Sequence, residues 1–206
     1  MCIRDRTEGI ELLGIECNVS DEAQLNNLVD QTVAKFGGVD ILVNCAATNP
    51  MFGPIDQMES TLFDKMVAVN VKSIFLLSNL CAAHMRKRGG GSIINISSVE
   101  GLKPSPGLGV YSMTKAAVNM LTMSQAAEWG SDNIRSNSIC PGLVKTKLSA
   151  GIWKNTAMLQ AFTERLPISK MAVPAEMVGL ALYLASDASS YTTGGIFNSD
   201  GGYMVS

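Results

Sequence analysis

Short apolar runs alternate with longer segments of helical period along the 206-residue chain, which predicts an α/β fold with a parallel sheet covered by helices on both faces. Two further observations agree. The runs are close to continuously apolar, as in strands buried on both sides. The polar residues that break the apolar background fall at the ends of those runs, the edge of a parallel sheet where ligands bind. At 47% hydrophobic and 17% charged the chain can bury a substantial core, and it contains no repeat, low-complexity tract or linker, so residues 1–206 read as one domain.

The elements follow in order. Residues 10–19, "IELLGIECNV", read as a strand, and Ser20 as the cap of a helix with Asp21 and Glu22 in its first turn. Leu25, Leu28, Val29, Thr32, Val33 and Phe36 keep the helical period until Gly37 and Gly38 stop it. "VDILVNCAA" is the next strand, too continuously apolar to face water on either side. A long helical region over residues 60–88 is expected to break near Asn70 and end in basic residues before Gly89. "SIINISS" is a strand, residues 111–130 a helix, "IRSNSICPG" a strand, residues 174–186 a helix opened by Pro174, and "GGIFNSDGG" a final strand. Asn18, Asn44, Ser97 with Ser98, and the "CPG" turn at 140–142 then share the carboxyl edge of the sheet.

Charge and composition exclude several functions. A net charge of -2 leaves no electrostatic footprint for nucleic acid or an anionic membrane. The five cysteines, Cys2, Cys17, Cys45, Cys81 and Cys140, lack CxxC spacing and read as buried thiols of a reducing compartment. No apolar run is read as reaching membrane-spanning length and the N-terminus carries no signal-peptide pattern, so a soluble cytoplasmic protein is expected. No His/Cys/carboxylate cluster has metal-ligand spacing, and the single histidine, His84, sits near the basic end of a helix. Another residue type therefore has to move protons.

Tyr111 and Lys115, in "GVYSMTKAA", supply one. At i and i+4 they share a helix face, where a cationic ammonium beside the phenol favours its ionised form and makes it a usable acid or base. The spacing alone also fits an ordinary helix surface.

Other motifs decide. "ILVNCAA", "VNVKS", "INISS", thirteen positions from Ser98 to Tyr111, "YSMTK", "PGLVKT" and "TGG" followed by "DGG" occur in this order. Together they resemble the short-chain dehydrogenase/reductase family, over nearly the whole chain from about residue 15. The resemblance implies a Rossmann-like doubly wound parallel sheet and an NAD- or NADP-dependent oxidoreductase that interconverts a carbonyl and a secondary alcohol. It implies Tyr111 as acid/base, Lys115 as the residue that lowers its pKa and holds the nicotinamide ribose, Ser98 on the substrate oxygen, and Asn70 positioning a water beside Lys115. It places Asn18 and Val19 by the adenine, Asn44 and Ala46 by the adenosine ribose, and Pro141, Gly142, Val144 and Thr146 around the nicotinamide. Cys45, Ala47 and Asn18 depart from the family's usual Asn, Gly and Asp. "NPMFGPI", "KPSPG" and "NIRSNSICPGLVKTKLS" look most like the carbonyl and retinal reductase branch. The apolar residues Leu148, Trp153, Met158, Leu159 and Phe162 read either as packed helices or as a lid over a hydrophobic substrate. The family resemblance implies a homodimer or homotetramer, with the helices of residues 60–88 and 111–130 expected to form the contact.

One expected unit is missing. A dinucleotide fold opens with a strand, a Gly-rich turn and a helix, whereas "GGG" at 89–91 follows a helix and precedes a strand. The sequence therefore reads as lacking its first strand-helix units, with residues 1–7 as a non-native junction, and the 206-residue chain is expected to bind neither NADH nor NADPH appreciably. The competing reading is a catalytically silent scaffold or fragment of the same fold that binds no dinucleotide.

Overall fold

A computed structural model describes residues 11–206. Their sheet has four parallel strands in the order β1 (Ile41–Asn44), β2 (Gly91–Ile96), β3 (Ile134–Pro141), β4 (Ile196–Ser199). Asn44 is level with Asn95, Asn95 with Ser138, and Pro141 with Ser199, so the carboxyl ends of the strands share one edge.

The helices are α1 (Glu22–Phe36), α2 (Ser60–Val67), α3 (Ser73–Arg88), α4 (Gly109–Trp129), α5 (Ala150–Trp153), α6 (Thr156–Thr163) and α7 (Val178–Ala185). Alternation along β3 shows how they are divided. Ile134 joins Val29, Cys81, Met85 and Ile93 in a core beneath α1 and α3, while Ile139 joins Ile94 and Leu184 beneath α7. Two layers of helix therefore cover opposite faces, as the apolar runs predict.

Several boundaries differ from expectation. Residue 10 lies outside the described residues, as does the stretch 1–7, and from residue 11 to 18 the chain makes no strand pairing. A strand needs a neighbour for its backbone ladder, and none is offered to this segment among the described residues. Asp21, not Ser20, caps α1: its Oδ1 accepts from the N–H groups of Ala23 and Gln24 at 3.0 and 3.3 Å. Gly37 ends α1 in the left-handed region, φ 80°, as its position suggests. β1 is not dry on both sides: Ile41 and Val43 are each 49% exposed, while α7 packs chiefly over β2 and β3.

The expected break near Asn70 is a π turn over Ala68–Lys72 inside one continuous helical run. That run, Ser60–Arg88, is 29 residues with a mean hydropathy of 1.6 over its most apolar window. It is long and apolar enough by length and composition to cross a bilayer, which corrects the expectation that no segment has that reach. In this fold α3 packs on α1 and the sheet, and the π turn packs on α4. The thiols also divide: Cys81 and Cys140 are buried, Cys17 is partly covered and Cys45 is exposed, against the expectation for Cys45.

Candidate active site

β2 ends at Ile96, and the chain leaves the sheet through Ser97 and Ser98 into a 3-10 turn, Val99–Gly101. A Pro- and Gly-rich loop leads from there into α4, whose first turns carry Tyr111 and Lys115. Two contacts hold α4 to the end of β2. Ser97 Oγ donates to the Lys115 carbonyl at 2.9 Å. Gly101 lies so close that a Cβ there would stand 2.7 Å from the Lys115 carbonyl carbon, a separation only glycine allows.

Lys115 is 2% exposed, and its Nζ donates to the Ile96 carbonyl at 2.8 Å while standing 5.6 Å from the centre of the Tyr111 ring. Burial lowers the ammonium to about 8, against weaker upward pulls from Cys45 and Cys140. Ser98, itself buried, lies beside the Tyr111 phenol. Burial pushes the Tyr111 phenol up to about 12, with Ser98 pulling down and Glu100 and Cys140 pushing up. The sequence reading expects Lys115 to lower this phenol. Desolvation outweighs the cation, because the phenolate loses its hydration and Lys115, at about 8, has already given up its charge where the phenol titrates.

Asn70, fully buried on the π turn, reaches the same region. Its Oδ1 accepts from the Thr48 N–H at 2.8 Å, and its Nδ2 donates to the Thr48 carbonyl at 2.9 Å and to Thr114 Oγ1 at 3.1 Å. Thr114 in turn donates to the Tyr111 carbonyl at 2.7 Å. The Asn70 amide thus ties the segment after β1 to the helix of Tyr111 and Lys115. Next to Thr48, the Asn49 Oδ1 is buried with no hydrogen-bond partner, an acceptor left for something outside the protein.

The other predicted residues are distributed around this centre. Asn44 turns its side chain into the sheet interior, where its Nδ2 donates to Asn95 Oδ1 at 2.8 Å and to Ser78 Oγ at 3.2 Å. Its amide is committed there. Ala46 is exposed just beyond β1, and Asn18 and Val19 form the turn that opens α1, with Asn18 Oδ1 accepting from Ser20. Pro141 closes β3, and Gly142 follows against Asp200, whose Cα would be 3.0 Å from an added Cβ. Val144 bridges Ala172, and Ser149 Oγ donates to the Val144 carbonyl at 2.5 Å and lies 3.2 Å from Thr146 Oγ1. Trp153 Nε1 donates to the Thr146 carbonyl at 2.8 Å, so the loop at 142–146 is carried by the short helices beside it.

Ser98, Tyr111 and Lys115 converge, and Asn70 joins them through Thr114. A cofactor's nicotinamide-ribose half fits these residues. The Lys115 ammonium has donors beyond the one used on Ile96, and Asn49 Oδ1 is a buried acceptor without a partner among the described residues. The described residues present no Gly-rich turn opening a helix for a pyrophosphate.

Comparisons with known proteins give the same class. The family model described as Enoyl-(Acyl carrier protein) reductase matches residues 4–204. "Dehydrogenase/reductase SDR family member 4" of Sus scrofa is 39% identical over 187 residues, 91% of this chain and 67% of that protein. Its counterpart in Oryctolagus cuniculus is 35% identical over 189 residues, 92% of this chain and 73% of that protein. Among solved structures, a gluconate 5-dehydrogenase from Burkholderia cenocepacia in complex with NADP and tartrate superposes with TM-score 0.94 at 32% identity, covering 98% of this chain and 79% of that one. A 7 alpha-hydroxysteroid dehydrogenase complexed with NADH and 7-oxo glycochenodeoxycholic acid gives 0.92 at 32% identity, covering 97% and 77%. The fold and the matches define an oxidoreductase of the Rossmann-like class. Within it, the chain belongs to the short-chain dehydrogenase/reductase family.

Sequence reasoning missed three supporting groups. Glu100 sits between Ser98 and α4. Asn119 accepts from Ser138 Oγ and Cys140 Sγ below the site. Tyr203 stacks on Phe162 with ring centres 5.2 Å apart, tying the C-terminal segment to α6. The acidic residue directly after "SSV" was a visible signal for Glu100; the other two depend on contacts distant in sequence.

Proposed function

We propose that this chain interconverts a carbonyl and a secondary alcohol by hydride transfer, with NAD or NADP as cofactor. The observation that carries this reading is the buried Lys115 ammonium 5.6 Å from the Tyr111 ring, with the buried Ser98 hydroxyl beside the phenol. When bound, the nicotinamide supplies or accepts the hydride. The protein's part is proton movement and orientation. In reduction, the Tyr111 hydroxyl gives its proton to the substrate oxygen as negative charge develops there, and the Ser98 hydroxyl donates a second hydrogen bond to the same oxygen. In oxidation Tyr111 takes that proton instead. Lys115 supplies positive charge beneath the phenol and hydrogen-bond donors for the ribose.

The surroundings favour a hydrophobic substrate. Phe52 and Ile55 are 60% and 66% exposed where they pack on Gly107 and Gly109, immediately before Tyr111. Leu102, Leu148 and Met158 are also exposed.

Tyr111→Phe in the complete protein tests the assignment. Turnover should fall at least about 10²-fold, the usual minimum for a lost general acid/base, while cofactor affinity stays close to wild type. A variant that keeps more than about a tenth of the wild-type kcat removes Tyr111 from the proposed role.

A further inference from the structure

The carboxylate of Glu100 accepts three hydrogen bonds around the entrance to α4. Ser105 donates its N–H to Oε2 at 2.8 Å and its hydroxyl to Oε1 at 2.6 Å, and Ser112 Oγ donates to Oε2 at 2.9 Å. The Glu100 N–H donates to Ser98 Oγ at 3.1 Å. Ser112 directly follows Tyr111. One residue therefore holds both neighbours of the reacting oxygen, the Ser98 hydroxyl through its backbone and the first turn of α4 through its side chain.

All three donors to this carboxylate are neutral. The ion pairs among the described residues do not include Glu100. Lys103, three residues on, points instead to the Tyr203 ring at 5.3 Å and the Ser206 carbonyl at 3.4 Å. With three neutral donors and no cation of its own among the described residues, the charge of this carboxylate acts on what lies nearby. The groups that act on the Tyr111 phenol are Ser98 and Glu100 from the segment after β2, Cys140 from β3, and Lys115 from its own helix.

We propose that Glu100 is a positioning residue for the reaction: an anion without a cationic partner that fixes the Ser98 hydroxyl, clamps the first turn of α4, and opposes Lys115 in setting how tightly Tyr111 holds its proton. The inference rests on the assignment of Ser98 and Tyr111 as the reacting pair. It explains why the Pro-rich loop 102–108 is fastened by a charged acceptor where a neutral one could make the same bonds. By occupying one acceptor site of Ser98 Oγ, the Glu100 N–H leaves that hydroxyl's proton for the substrate oxygen. The upward pull of Glu100 on the phenol agrees with this placement.

The test uses the complete protein with ¹³Cζ-labelled tyrosine as wild type, Glu100→Gln and Glu100→Ala, with Tyr111→Phe identifying the Tyr111 resonance among the four tyrosines. Both Glu100 variants should begin the Tyr111 titration at lower pH than wild type, by about half a unit or more. In oxidation of 1-phenylethanol the acid limb of kcat/KM should move the same way. Glu100→Ala, which also loses the acceptors, should drop kcat about tenfold or more, and Glu100→Gln, which keeps the shape, should drop it less. A Tyr111 titration that Glu100→Gln leaves in place overturns the inference, whatever the rates do. Undiminished turnover by Tyr111→Phe instead overturns the catalytic assignment. The two outcomes are separable because the NMR titration needs no substrate.

Discussion

Replacing Lys115 by methionine, a side chain of similar length without charge, should make the cofactor-free protein more stable at neutral pH and catalytically silent. Burial holds the Lys115 ammonium at about 8 in the fold, against an ordinary value of 10.5 that it regains when the chain unfolds. Between about pH 8 and 10.5 the unfolded chain binds more protons than the folded one, so stability rises with pH across that window. The difference corresponds to about 3 kcal/mol, a burden wild type carries below pH 8 and Lys115→Met does not. Against this the variant loses the hydrogen bond from Nζ to the Ile96 carbonyl, worth about 1 kcal/mol. Lys115→Met should therefore lead by about 2 kcal/mol at pH 7 and lose that lead by about pH 10. Tyr111, Cys81 and Cys140 are held above their ordinary values, so they reduce stability at high pH in both proteins. Urea unfolding of both proteins at pH 7, 8, 9 and 10 without cofactor reads the difference directly. A difference that stays level across this range would refute the account of a buried, strained ammonium.

Gly101→Ala should destabilise the protein by about 1–3 kcal/mol and lower kcat, because its Cβ would meet the Lys115 backbone at 2.7 Å and push α4 from the end of β2; unchanged thermal unfolding would show that the loop yields freely. The proposed homodimer or homotetramer should form through α3 and α4, where Phe75, Met113, Met120 and Met123 are exposed. Light scattering at micromolar concentration should find an oligomer that Met120→Glu weakens, and a monomeric wild type would count against that surface.

The alternation of apolar runs made the parallel sheet legible because buried strands and amphipathic helices carry different periods. Tyr111 and Lys115 were legible for the same reason: a spacing of four residues fixes a shared helix face, and the structure places Nζ beside the ring. The direction of the Tyr111 shift was not legible. Spacing reveals a nearby cation, but the cost of burial depends on how Ser98, Cys140 and the helix close around the phenol. Asn44 shows the same limit. A strand-end Asn reads as a ligand contact, but its partners, Ser78 and Asn95, come from 34 and 51 residues away. The π turn at Asn70 appeared in the sequence only as an interruption of a helix. The absence of a ladder for residues 11–18 depends on neighbouring backbone, which an apolar run does not specify.

The interior chain of side chains from Asn44 through Asn95 to Thr122, Gln125 and Ser136 has a role beyond stability. Strands rich in Ile and Val could slide past one another by two residues and still bury similar apolar surface. The polar chain could not follow, because each displaced amide or hydroxyl would be left unpaired at about 1–3 kcal/mol. It therefore acts as an alignment key, admitting one pairing of β1, β2 and β3 beneath the helix that carries Tyr111. The heights at which Ser98 and Pro141 leave the sheet are set there, so a substitution at Asn95 could misalign the reaction centre while touching none of its residues.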